Sequence, residues 1–509
     1  MMSLRLLLLL LLAGSARVHA GHNVLLIIAD DYGVDSSSLY SNNAGASLPP
    51  TPNIAALASS GIRFTNAYAN PVCSPTRACL LTGRHAFRTG VGEAVTLTAG
   101  NSLRAAELTL PEVVAQNGGL GIQCACFGKW HLSIGPGTVN APNTIGGWPH
   151  YAGATGGMLS SYTNWPKVVN GAQSTSTTYA TTDVVNDAVT WVNARTAAGQ
   201  QWVAWVAFNA PHSPFHIPPT NLHSYGSNPA TNRLKYEAAV EAMDTEIGRL
   251  LLAVNPTTTD IIFIGDNGTP AQVIQPPYTN TQAKDTLYEG GIRVPFIIKG
   301  PDVIAPGRTS EAFVHVVDLF STMLDLAGVP LPTSVTLDSQ SLRRILENRS
   351  DDTRTRIYSD QFDQSDTTVG GRAIRDDRYK LIRKRSGVDE FYDLQTDAAE
   401  STNLLVAGVS SMSAEQQSRY YRLRFNLGRY LEGTAPFVIT SAMSAGGFYV
   451  TVPQDAGATQ SLWRCIDLAA GFWAPAPGVA TASNGGELTF TDPIPPAGSA
   501  YYSVVSETP

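Results

Sequence analysis

The segment Cys73-Ser74-Pro75-Thr76-Arg77, followed by Leu80, Thr82 and Gly83, sets a thiol and a guanidinium about one helical turn apart. Ser74 is a favourable N-cap, and Pro75 suits a first helical turn. Such a start places Cys73 beside free backbone N–H groups at the positive end of a helix dipole, where anions bind. Arg77 adds a planar cation. A thiol there reads as an activated nucleophile. A small buried cysteine ahead of a capped helix is the alternative.

Other chemistry-bearing residues stand elsewhere in the chain. Asp30-Asp31 and Asp266-Asn267 offer hard oxygen ligands of the kind Ca2+ prefers. Mg2+ would keep more water and take fewer protein ligands. Zn2+ is disfavoured because neither pair carries His or Cys. Either pair alone also suits a turn or cap after a strand. Lys129 and His131 share a side if the chain stays extended. His212 lies in Asn209-Ala210-Pro211-His212-Ser213-Pro214, a proline-braced loop, and Lys284 precedes Tyr288-Glu289-Gly290-Gly291. A surface turn, a solvated loop histidine and an exposed lysine are the ordinary fates of such residues.

The elements that must position them follow one grammar: a short apolar run, then polar residues where it stops. Val24 to Ala29 ends in Asp30-Asp31, and Ile122 to Phe127 in Gly128-Lys129-Trp130-His131. Val203 to Phe208 leads to Pro211-His212, and Ile261 to Ile264 to Asp266-Asn267-Gly268. Such runs read as strands buried on both faces. Helical patterns lie between them, as in Leu110 to Gln116 and Arg233 to Val254. The alternation predicts a mostly parallel sheet with helices on both faces, and ligands in such sheets bind at the carboxyl ends of the strands.

A chain of 509 residues with 43% hydrophobic content has room for a large core and more than one domain. A net charge of −7 without a basic block argues against nucleic acid as a partner. Residues 1–20 read as a signal peptide: Arg5, an apolar run from Leu6 to Ala13, and Val18-His19-Ala20 before the cleavage point. That run is too short to span a bilayer. The expectation is an exported protein, periplasmic or secreted, without membrane insertion, starting near Gly21. Cys73, Cys79, Cys124, Cys126 and Cys465 are an odd set, which singles out one thiol; their pairing stays open.

The pattern Cys73-x-Pro75-x-Arg77-x-x-Leu80-x-Thr82-Gly83 resembles the signature of the formylglycine-dependent sulfatases. The resemblance extends to Asp30-Asp31, Gly128 to His131, His212 and Asp266-Asn267-Gly268. It also takes in Lys284 ahead of Glu289-Gly290-Gly291-Ile292-Arg293-Val294-Pro295. It runs from about Asn23 to about Leu405. It implies an α/β fold of alkaline-phosphatase-like type: a mostly parallel sheet sandwiched by helices over 21–345. A small antiparallel-sheet subdomain over 346–436 follows.

The same resemblance implies a mechanism. A maturation enzyme oxidises Cys73 to formylglycine, whose hydrate attacks the sulfur of a sulfate ester, with Asp266 as base. One Ca2+ ion is held by Asp30, Asp31, Asp266, Asn267 and the residue at position 73. Lys129, Lys284 and Arg77 offset charge. His212, helped by Lys284, protonates the leaving alcohol. His131 takes the proton from the remaining hydroxyl, so sulfate leaves by elimination. The favoured substrates are sulfated carbohydrates, with other small sulfate esters included. Phosphodiester or phosphonate ester hydrolysis on the same scaffold is one alternative. Non-catalytic binding of sulfated glycans, with Cys73 unconverted, is another.

Between Ser133 and Tyr179 the chain is rich in Gly, Asn, Ser and Thr, with Trp148, Tyr151, Tyr162 and Trp165. Such a segment, with His216 and His223, reads as a leaving-group pocket, and a structural excursion packed by its own aromatics is the alternative. Short strands are expected at Ile357-Tyr358, Arg372 to Ile374, Arg378 to Ile382 and Glu390 to Leu394, with a packing helix over Ser413 to Glu432. Residues 437–509 read as an appended β-sandwich-like module, with strands at Phe448 to Val452, Ser461 to Cys465, Glu487 to Phe490 and Ala500 to Val505.

Overall fold

The computed structural model describes residues 21–431, apart from 42–44, 97–100, 136, 351–353 and 367. Beyond that it describes 440–444, 447–453, 459–465, 474–484, 487–493, 495 and 501–507. The signal-peptide expectation lies outside the described residues.

Ten strands build the main sheet: β1 (Asn23–Ala29), β2 (Ile62–Tyr68), β3 (Gln123–Lys129), β4 (His150–Ala154), β5 (Trp165–Val169), β6 (Ala172–Ser176), β7 (Trp202–Ala207), β8 (Thr259–Gly265), β9 (Phe296–Lys299) and β10 (Arg308–His315). Their spatial order is β10-β2-β9-β8-β1-β7-β3-β4-β5-β6. β8, β1, β7, β3 and β4 run parallel. β9 is antiparallel to both its neighbours, and β5 and β6 extend the far edge antiparallel.

β1 shows why the runs are apolar throughout. Val24, Leu26 and Ile28 enter one core with helices Cys73–Thr82, Leu110–Gln116 and Asp318–Leu326. Leu25, Ile27 and Ala29 enter the other with helices Pro52–Ser59, Ala180–Ala197 and Asn232–Leu252. The period of two sends alternate side chains into two separate cores, so no position is free to be polar. Because β8, β1, β7 and β3 are adjacent and parallel, Asp266, Asp30, the His212 loop and Lys129 emerge along one edge.

A second sheet contains β11 (Ile357–Phe362), β12 (Gly370–Arg375), β13 (Tyr379–Lys384) and β14 (Asp389–Asp393), all antiparallel. One face buries Tyr358, Ile374, Leu381 and Phe391 against Tyr420, Leu423 and Leu427 of helix Ala414–Leu431. The other packs Ile357, Ala373, Ile382 and Tyr392 on Tyr68, Leu287 and Ile292. Beneath it lies a buried ionic cluster. Lys380 Nζ donates to Glu289 at 3.0 Å and sits 2.8 Å from Glu400. Burial pushes the Glu289 carboxyl up, but Lys380 and Arg375 outweigh it and hold it ionised. Lys380→Met should leave the buried Glu400 carboxyl without its cation and Glu289 with Arg375 alone, and cost about 3–5 kcal/mol. A thermal melt of the variant checks this.

Past the helix, strands Thr440–Ser444, Gly447–Pro453, Glu487–Asp492 and Ala480–Asn484 form one sheet. Thr459–Cys465, Tyr501–Glu507 and Ala474–Pro475 form another. Trp463 packs on Phe425 and Tyr421 of the helix.

Candidate active site

The helix that carries Cys73 starts at Cys73 itself, with Val72 as N-cap and no side-chain cap. Ser74 is therefore not the cap its type suggested. Its hydroxyl donates to the His131 carbonyl at 2.7 Å and accepts from Val95 N at 3.0 Å. Two long-range partners have claimed the oxygen that would otherwise have capped the first turn.

Arg77 is fully buried. It donates to the Lys129 carbonyl at 3.0 Å and to Asp266 Oδ2 at 2.8 Å, and lies 3.9 Å from Asp30 Oδ1. Lys129 Nζ donates to Asp30 Oδ2 at 2.6 Å. Lys284 Nζ is 2.8 Å from Asp31 Oδ1, and His212 Nε2 is 3.7 Å from Asp31 Oδ2. Arg77, Asp30, Asp31, Asp266, Lys129, Lys284 and His212 thus converge on one strand edge. Burial pushes the Asp31 carboxyl up, but Lys284, His212 and Lys129 more than reverse it. Asp30 stays well above the usual range, because burial and the neighbouring Asp266 and Asp31 outweigh Lys129 and Arg77.

Cys73 Sγ lies 3.0 Å from His131 Nδ1, and His131 Nε2 lies 3.2 Å from the Val95 carbonyl. A carbonyl only accepts, so Nε2 carries the proton and Nδ1 presents a lone pair to position 73. Burial, with Lys129 and Arg77 nearby, holds the imidazole neutral. The thiol itself is no activated nucleophile. Burial pushes Cys73 up, against the pull of Lys129 and Lys284, whereas reactive thiols have depressed values. Cys79, Cys124 and Cys126 are buried and free, and the Cys465 side chain lies outside the described set.

The chain does not stay extended after Lys129. His131 has φ 54°, and Asp31 and Asp285 have φ 67° and 72°. Left-handed conformations at non-glycine residues cost energy and cluster at functional sites. Gly268 explains why glycine follows Asp266-Asn267: a Cβ there would lie 1.8 Å from the Gly290 carbonyl. That approach lets Gly268 N donate to Gly291 O at 2.8 Å, tying the β8 end to the Lys284–Gly291 segment.

The residues present fit a hard cation. Asp30 Oδ1 and Asn267 Oδ1 are buried and accept no hydrogen bond. Asn267 Nδ2 is already committed to Asp31 Oδ1 at 2.8 Å and to Gly268 O at 3.0 Å, so the oxygen is the free end of the amide. Asp30, Asp31 and His212 also bring ligand atoms within 4.8 Å of one another. Oxygen donors outnumber the single imidazole, and they favour Ca2+ over zinc.

A protein-family model described as Sulfatase matches residues 22–329. The chain belongs to the sulfatase family. Its fold is that of the alkaline-phosphatase-like superfamily. A model described as N-sulphoglucosamine sulphohydrolase, C-terminal, matches residues 281–423 of this sulfatase. It is 31% identical over 470 residues to human arylsulfatase A, covering 80% of this chain and 88% of that one. It is 29% identical to N-acetylgalactosamine-6-sulfatase of the dog, covering 66% and 69%. A solved protein in complex with its substrate, D-glucosamine-2-N,6-O-disulfate, superposes with TM-score 0.65 at 22% identity, covering 81% of this sulfatase and 99% of that chain.

One expectation is overturned. Trp148, Tyr151, Tyr162 and Trp165 are buried, so they do not offer rings to a sugar. The polar segment adds strands β4, β5 and β6 to the sheet and packs on its own aromatics. His223 is also buried, against the Pro218 carbonyl. Thr155, Gly157 and Met158 lie beside the site residues. His131 N donates to Thr155 O, and a Cβ on Gly157 would lie 2.3 Å from His131 Nε2. Met158 is 62% exposed beside Ser213.

Proposed function

We propose that this sulfatase is an exported, calcium-dependent enzyme of the formylglycine type, acting on sulfate esters of carbohydrates. The observation that carries the reading is the Cys73–His131 pair. A buried position 73 faces an unprotonated ring nitrogen and is surrounded by Lys129, Lys284 and Arg77. The neighbours' printed names favour carbohydrate sulfates: a galactosamine sulfatase and a glucosamine disulfate complex.

Oxidised and hydrated, position 73 supplies one oxygen for attack on sulfur and a second hydroxyl whose deprotonation expels sulfate. Asp30, Asp31, Asp266 and Asn267 would hold a calcium ion, which when bound would polarise the sulfate group. Asp266 is the proposed base for the attacking oxygen. Lys129 and Lys284 hold the sulfuryl oxygens, and Arg77 fixes the β3 end and Asp266 together. His212, once also protonated at Nε2 beside the Asp31 carboxylate, gives that Nε2 proton to the leaving alcohol and keeps its Nδ1 proton on the Ser213 carbonyl. His131, through Nδ1, takes the proton from the second hydroxyl.

That division of labour predicts a kinetic signature. His131→Ala should still release alcohol once per site while steady turnover drops about 10²–10⁴-fold. A stopped-flow burst equal to the enzyme concentration is the expected record. Equal loss of burst and steady rate would contradict the assignment. Comparing an aryl sulfate with its phosphate diester and monoester tests the ester class, with the sulfate expected to have the highest kcat/KM.

A further inference from the structure

The proposed acid, His212, sits on a loop, and loops place catalytic groups less firmly than strands do. Something must hold it. Its own ring makes one local bond: Nδ1 donates to the Ser213 carbonyl at 2.7 Å, which leaves Nε2 facing Asp31. The backbone turns tightly there, with His212 N donating to Asn209 O at 3.0 Å. The two carbonyls of this turn, Asn209 O and His212 O, both point at one phenol. Tyr162 Oη lies 2.6 Å from the first and 2.7 Å from the second. A phenol has a single proton, so the two acceptors share it, and the turn is clamped across its ends.

The clamp is itself held. Tyr162 is 3% exposed. Its ring stacks on His216 with centroids 3.7 Å apart and planes 18° from parallel. His216 Nδ1 donates to the Pro214 carbonyl at 3.1 Å, so Nε2 accepts from Tyr179 Oη at 3.0 Å. Ala180 N, at the start of helix Ala180–Ala197, donates to the Tyr162 carbonyl at 2.8 Å. Burial raises the Tyr162 phenol well above its usual value, so it remains a neutral donor. Tyr162 stacks on His216, and Tyr179, which precedes a long helix, is joined to His216 by a hydrogen bond, so the group connects that helix to the His212 loop. The Tyr162 hydroxyl is taken up by the two backbone carbonyls of the His212 turn.

We propose that Tyr162 is a positioning residue for the leaving-group acid, fixing the His212 turn through its shared hydroxyl proton, with His216 as the plate behind it. This rests on the reading of His212 as the acid. It assigns the tyrosine to the departure of the alcohol and not to sugar binding. A displaced acid should matter only where the leaving alcohol needs a proton. An activated aryl oxygen departs without one; a sugar or alkyl oxygen does not.

The test uses the full-length, matured, calcium-loaded enzyme and two substrates, a nitrophenyl sulfate and a sugar sulfate with a primary-alcohol leaving group. Tyr162→Phe is expected to lower kcat for the sugar sulfate about 10–100-fold, the cost of a misplaced catalytic group. It should change nitrophenyl sulfate turnover by less than about 3-fold, because general-acid help is worth little to a good leaving group. KM should stay within about 3-fold for both, since the hydroxyl touches no substrate. His212→Ala is the reference and should show the same selectivity with a larger loss. Equal losses on the two substrates in Tyr162→Phe, or no loss on either, overturn the proposal while leaving the His212 reading intact if His212→Ala is selective. An unselective His212→Ala removes both. Should Tyr162→Phe not yield folded protein, His216→Phe keeps the stacked ring and removes its two hydrogen bonds. It must show the same selectivity, reduced in size, and an unselective loss there overturns the proposal.

Discussion

Replacing Cys73 by serine, in protein where that serine stays unmodified, should reduce steady turnover by about 10⁴-fold or more while leaving sulfate ester binding within about 10-fold. The binding groups, Lys129, Lys284 and the carboxylate edge, do not depend on the sulfur atom. Position 73 itself is hemmed in: it is 2% exposed and lies within reach of the His131 lone pair. A serine hydroxyl can attack once. It has no second oxygen for His131 to deprotonate, so the sulfate it acquires has no elimination route. The expected product is one sulfated protein per site, visible as a shift in intact mass, with no further release of alcohol. Sustained turnover by that variant would contradict the role given to the second hydroxyl.

Removing the metal is the second large effect. Without a cation the site already sets cations against its carboxyl groups: Lys284 pairs with Asp31, Arg77 with Asp266, and Lys129 lies 2.6 Å from Asp30. The apo protein should therefore stay folded but be inactive. Dialysis against a chelator is expected to reduce activity by about 10³-fold or more, reversed by Ca2+, because the loss falls on transition-state charge. Calcium binding should raise the melting temperature, since a ligand that binds only the folded state stabilises it by mass action. Asn267→Leu removes the amide oxygen that accepts no hydrogen bond. It should raise the calcium dissociation constant about 10–100-fold, read by isothermal titration without any substrate. Unchanged calcium affinity in that variant would remove Asn267 from the ligand set.

The site was legible because its residues occupy places where an apolar run stops. Asp30 follows Ala29, Asp266 follows Gly265, and Lys129 closes β3, so a reading of hydropathy alone brings them to one edge. Spacing could not reveal Ser74. It has the type of an N-cap, but its partners, His131 O and Val95 N, come from distant segments. The aromatics between Ser133 and Tyr179 failed for a related reason. A polar, glycine-rich stretch looks like a loop, yet Trp165 and Val168 are buried because β5 and β6 pair onto the sheet. Non-local pairing decides their burial, and local composition does not carry it. Tyr162 was noticed as a ring, whereas its hydroxyl turned out to be the informative atom.

The most direct test of the account is peptide mass spectrometry of the tryptic fragment Phe64 to Arg77, from protein made in its native host. Cys73 is expected to have exchanged its sulfur and two hydrogens for one oxygen, giving the aldehyde or its hydrate. An unmodified thiol in active enzyme from a host with working maturation would contradict it, and the chemistry at position 73 would then have to be assigned to another group.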